Sequence, residues 1–202
     1  MQPNSNTPGH FESVNIAIDR YMCDVHTCMP GVVIDYNPGT QTATIQPSIK
    51  RKYADGVLQS LPQLQNVPVV FPATKTSWVR LPVTAGDEVV LHFAERSIDQ
   101  WWLSGGEVDP GIPHKFNLTD AIATPGLHAQ GNAIKPKGGM TSLEICNGTI
   151  FIELLPTGQI KISNGFVDLI SLLNTFVTGL NSGTLTAQAA AFKLALTPFV
   201  AP

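Results

Sequence analysis

The stretch Asn147 to Val177, NGTIFIELLPTGQIKISNGFVDLISLLNTFV, constrains this chain more than any other part of it. Ile150, Ile152 and Leu154 alternate with Phe151, Glu153 and Leu155. After the turn formers Pro156, Thr157 and Gly158, Ile160 and Ile162 stand between Gln159, Lys161 and Ser163. Period-two alternation around a turn predicts a β-hairpin with one apolar face. A lone hairpin is marginal in water, because burying five apolar side chains does not offset the entropy of ordering both strands. The face made by Ile150, Ile152, Leu154, Ile160 and Ile162 therefore needs a cover, either the preceding domain or other copies of the chain.

The hairpin runs straight into a helical pattern. Phe166, Ile170, Leu173, Val177, Leu180, Thr184, Ala187, Ala191 and Leu194 fall on one seam at steps of four and three, the spacing of a coiled-coil interface. Gly179 and Gly183 flank Asn181 and Ser182, which reads as a C-cap and turn. Two readings stay open, one continuous helix or two helices of about 166–180 and 185–196, with Pro198 as the stop.

Upstream, Val14, Ile18, Tyr21 or Met22, and Val25 recur at helical spacing and predict a short amphipathic helix over 13–25, ended before Pro30. Residues 31–94 read as β throughout, in the runs GVVIDY, TATIQPSI, VLQSL, VPVVFP, WVRLPV and GDEVVLHF. These are punctuated by Asn-Pro-Gly, Asp-Gly (after Ala54) and Ala-Gly-Asp turns, which suits a small closed barrel of OB type. Prolines 47, 62, 68, 72 and 82 stand at the ends of these runs, where a missing ladder donor is tolerated. From Arg96 the pattern breaks into a helical turn at Ile98–Trp102 and an irregular segment to about Gly139. Such a length predicts chain running along another surface.

With 43% hydrophobic and 13% charged residues, the chain of 202 is too apolar to be disordered. A net charge of −3 provides no general attraction for polyanions or acidic membranes. The basic cluster Lys50-Arg51-Lys52 reads as a solvated hairpin tip. Cys23, Cys28 and Cys146 are expected as free thiols of a protein assembled in a reducing cytoplasm. The N-terminus has no signal-peptide pattern, and no run of eighteen apolar residues marks a membrane helix.

The candidate chemical sites are sparse. Ser104 in WLSGG lacks the glycine two residues before it that a nucleophile elbow needs. Asp87 and Glu88 are adjacent, hence on opposite faces of a strand, and cannot flank one glycosidic bond. Cys23, His26 and Cys28 could supply three metal ligands, but no second pair follows, so packing thiols are expected. Trp78, Trp101 and Trp102 could stack on single-stranded nucleic acid. The acids Glu95, Asp99, Glu107 and Asp109 around them favour burial at a contact instead. No catalytic residue, cofactor or metal ligand is assigned.

The segments HTCMPGVVIDYNPGTQTATIQPSIKRKYADG, VPVVFP and AGDEVVLHFAERSIDQWWLSGG together resemble the N-terminal OB domain of bacteriophage baseplate central-spike proteins from contractile tails, over about 26–128. The resemblance implies an OB-fold barrel followed by strands of three chains wound into a prism. In such a prism Ile150, Ile152, Leu154, Ile160 and Ile162 face a shared dry axis, and Glu153 and Lys161 lie outside. Glu153→Ala is then expected to be nearly silent. The histidine-bound iron of many pointed apices has no counterpart here, since no histidine follows His128.

The expectation is a mainly β protein: a tail and short N-terminal helix (1–29), an OB-fold domain (30–128), a linker and short intertwined trimeric β-prism or β-helix (129–165), and C-terminal helices (166–202). Ile170, Leu173, Val177 and Leu180 would extend the trimer interface. The function implied is that of a structural, non-enzymatic virion protein, the homotrimeric central spike that contacts or pierces the host envelope on contraction. Its implied partners are its own copies, baseplate hub and tail tube proteins, a separate tip protein and, transiently, the outer membrane, with no nucleic acid. The alternative is an OB-type binding module for single-stranded nucleic acid or glycan.

Overall fold

The structure, a computed structural model, is described over residues 9–53, 55–180 and 185–196. The chain divides into two compact units, Met1–Ala133 and Ile134–Pro202.

The first unit contains α1 (His10–Met22), β1 (Cys28–Asn37), β2 (Thr42–Pro47), the short hairpin β3 (Arg51–Lys52) and β4 (Leu58–Gln59), β5 (Leu64–Pro68), β6 (Glu88–Phe93), α2 (Asp99–Ser104) and β7 (Ala121–Pro125). Five strands form one antiparallel sheet in the order β5-β2-β1-β6-β7. The predicted turn formers act as predicted. Gly39 N–H donates to the Asn37 side chain, and Gly56 and Gly86 take positive φ values of 85° and 95° that a glycine tolerates without strain. Register shifts in the β1/β2 and β2/β5 pairs, with Asn66 at φ 55°, bend the sheet as bulges do. It curls until its two edges meet at a parallel bridge between Val69 and Ala123, where Val70 N–H donates to the Ala123 carbonyl at 2.8 Å. Ile45, Val33, Val69, Val89, Leu91 and Ala123 fill the interior.

Two expectations fail here. WVRLPV forms no strand; Trp78 only bridges Ala73, and of its apolar residues Val83 alone joins the core. The place beside β6 belongs instead to β7, inside the segment expected to be irregular. Its inward residues are the small Ala121 and Ala123, so AIATP lacks the large alternating side chains by which a strand announces itself. The N-terminal helix exists, shifted to His10–Met22, and none of its residues is buried. An Asp24–Arg51 ion pair ties the segment after it to the β3/β4 hairpin.

The second unit begins with the antiparallel meander β8 (Leu143–Asn147), β9 (Ile150–Leu154) and β10 (Ile160–Ser163), in the order β10-β9-β8. The predicted hairpin is β9–β10, and β8 adds a third strand. Two helices follow, α3 (Leu169–Leu180) and α4 (Leu185–Leu196). Asp168 caps α3 by accepting from Ser171 N–H at 2.6 Å, so Phe166 lies outside the helix. The rings of Phe176 and Phe192 stack with centroids 4.4 Å apart, whereas one straight helix would hold them about 24 Å apart. The continuous seam is therefore excluded and the two-helix reading holds. Ala54, Thr184, Pro198 and the side chains of Leu180 and Ala187 lie outside the described residues.

Candidate assembly surface

The meander has two unlike faces, and its register defines them. Ile152 stands opposite Ile145 on β8 and Ile162 on β10, and Leu154 stands opposite Leu143 and Ile160. Residues directly opposite share a face, so these side chains and Ile150 form one apolar surface. The described residues leave it open. Ile152 at its centre is 38% exposed, and Ile145, Ile150, Leu154 and Ile160 are more so. A contiguous apolar patch on a thin sheet marks an interaction surface.

The opposite face is closed by the chain itself. Phe151 is 5% and Glu153 2% exposed. Across the three strands runs a polar row, Glu144–Glu153–Lys161. Above it the residues 137–139 present three consecutive backbone N–H groups. Lys137 and Gly138 donate to the two oxygens of Glu144, and Gly139 donates to Glu153 at 2.8 Å. The fit is tight, because a Cβ on Gly138 would overlap the Glu153 carboxylate. The Gly139 N–H, then the Ser142 hydroxyl and the Lys161 charge, hold the Glu153 carboxyl below the usual carboxylate range. Lys161 Nζ lies 4.0 Å from Glu153 and 5.3 Å from the Phe151 ring centroid.

Glu153 is thus a covered anchor and not the exposed outer residue expected from the alternation. Parity correctly separated it from the isoleucines. What parity could not supply was the loop that returns over it, for which the paired glycines Gly138-Gly139 were the available signal. On α3, Ile170, Leu173 and Val177 are exposed while Phe176 turns toward α4.

The residues weighed for chemistry serve local structure. Ser104 Oγ donates to the Gln100 carbonyl, Asp87 accepts from Thr84 N–H, and Glu88 holds Ala129 and Asn132. Cys23 and Cys28 are free thiols as expected, but exposed and not packed. The His26 ring lies tilted against Phe93 with centroids 5.5 Å apart, and burial, then Arg51, pushes it below its ordinary pKa. Among the described residues no group of three His, Cys, Asp or Glu side chains is placed to hold a metal ion, and no helix is long and apolar enough to cross a membrane. Trp78, Trp101 and Trp102 are exposed on the single chain, open to the neighbour contact expected of them.

Residues 29–126 match the family described as Phage protein Gp138 N-terminal domain. The match indicates a phage protein. It supports a component of the virion, and its limits coincide closely with the curled sheet β1–β7. The meander and helices lie beyond the Gp138-like region. No curated protein matches the chain.

Proposed function

We propose that this protein is the subunit of a homotrimeric central spike in the baseplate of a contractile phage tail. It would be a structural, non-enzymatic virion protein that contacts or pierces the host envelope on contraction. One observation carries the proposal: the meander closes one face with its own loop and leaves the Ile145–Ile152–Ile162 face open. Three copies around one axis would bury three such faces in a shared prism, at about 1 kcal/mol for each half-exposed side chain covered. The exposed Ile170, Leu173 and Val177 would continue that interface.

In this reading the Gp138-like region is the OB-type collar. The subunit is assembled in the host cytoplasm and joins baseplate hub and tail tube proteins. A separate tip protein completes the point, and the outer membrane is met only transiently. The role demands stability under load, which interchain burial supplies. Sedimentation equilibrium at micromolar concentration should give three times the 21.7 kDa of one chain. A single-chain mass would overturn the proposal.

A second reading, an OB-type module binding single-stranded nucleic acid or glycan, is favoured by the exposure of Trp78, Trp101 and Trp102. Its sign would be tryptophan quenching by an oligonucleotide with a salt-dependent slope.

A further inference from the structure

A groove of about 410 Å³ lies on the covered side of the meander, away from the open apolar face. Lys137, Lys161, Thr149, Ser163, Asn164 and Phe166 line it, with Phe151 and Gly165. That lining holds two lysines and no carboxylate. The nearby acids are already engaged: Glu144 and Glu153 accept from residues 137–139.

Two of the neutral polar groups already accept hydrogen bonds from the backbone. Ser163 Oγ accepts from Gly165 N–H at 3.1 Å, and Asn164 Oδ1 accepts from Phe166 and Val167 N–H at 3.0 and 2.9 Å. What remains to face a ligand is the Ser163 hydroxyl hydrogen, the Asn164 amide hydrogens, the Thr149 hydroxyl and two ammonium groups, of which that of Lys161 also lies 4.0 Å from Glu153, so the lining is donor-rich. Beside them the Phe166 ring stands 91% exposed, an apolar plate without a ring partner among the described residues. Donors that converge next to an aromatic plate suit a ligand rich in anionic oxygen that also carries a stackable ring.

We infer that this groove is a binding site for a phosphorylated sugar, with the phosphate between Lys137 and Lys161 and the sugar face on Phe166. The groove lies within one chain and its argument uses no second copy, so its failure leaves the trimer proposal standing.

Calorimetric titration of the full chain with glucose 1-phosphate tests it. The expected result is saturable binding with Kd at or below about 1 mM, weakening as salt rises. Lys161→Gln should weaken it at least about tenfold, and Lys161→Arg should retain it. Phe166→Ala should weaken glucose 1-phosphate while leaving inorganic phosphate unchanged. Circular dichroism of each variant confirms that the fold is kept. No binding of glucose 1-phosphate, or unaltered binding by Lys161→Gln, overturns the site. Equal affinity for inorganic phosphate overturns the sugar assignment. Co-sedimentation with lipid A vesicles, whose headgroup is a phosphorylated glucosamine, would assign the source to an envelope lipid; binding of the soluble probe alone would assign it to a free sugar phosphate.

Discussion

The Gly139 N–H donates to the Glu153 carboxylate at 2.8 Å, and this bond turns a strand residue that alternation would leave in solvent into an anchor for the chain's own loop. The covered face of the meander thereby becomes self-sufficient. The other face stays exposed, and the asymmetry leaves the sheet with one covered and one open side.

Glu153→Ala removes the acceptor of Gly139 and the partner of Lys161 together. It should lower Tm distinctly more than Glu107→Ala, an exposed control, and Glu153→Gln should fall between them. Equal Tm values for the two alanine variants would remove the anchor.

The same carboxylate makes stability depend on pH. Its folded pKa is depressed, so its contribution is complete above the ordinary glutamate value of 4.5 and is lost as pH falls through the lower folded value. Thermal melts of the parent and of Glu153→Gln should differ at pH 6 and converge at the acid end, where both side chains are neutral. A gap that persists in acid would contradict this.

Gly138→Ala should destabilise through contact with Glu153, since the added Cβ and the carboxylate claim one space. Because the two substitutions share that contact, the Gly138→Ala, Glu153→Ala double variant should lose less than the sum of the singles. Strict additivity in chemical denaturation would refute the overlap.

Ile152→Asp places a charge at the centre of the open face, between Ile145 and Ile162. The proposed trimer should fall to lower mass or become insoluble. An unchanged mass and melting curve would mean that this face is not the axis.

In the curled sheet, Gly31 sits where a Cβ would come within 2.7 Å of Ile45 and 3.0 Å of Leu91, both in the core. Gly31→Ala should cost about 1–3 kcal/mol by denaturant titration. Gly126→Ala, where a Cβ meets open space but φ is 114°, probes backbone strain alone.

Much of this architecture follows from local pattern. Strands β1, β2 and β6 with the Asn-Pro-Gly and Ala-Gly-Asp turns, the β9–β10 hairpin and the division of Ile152 from Glu153 all follow from period and turn chemistry, which act between neighbours in the chain. Three things did not. AIATP becomes a core strand because a curled sheet needs small residues at its seam, WVRLPV does not because that place is taken, and Glu153 is covered because Gly138 and Gly139 return over it. Each depends on which distant segment arrives at a given surface, and that is settled by packing and hydrogen-bond satisfaction across the fold, terms to which no window of sequence has access.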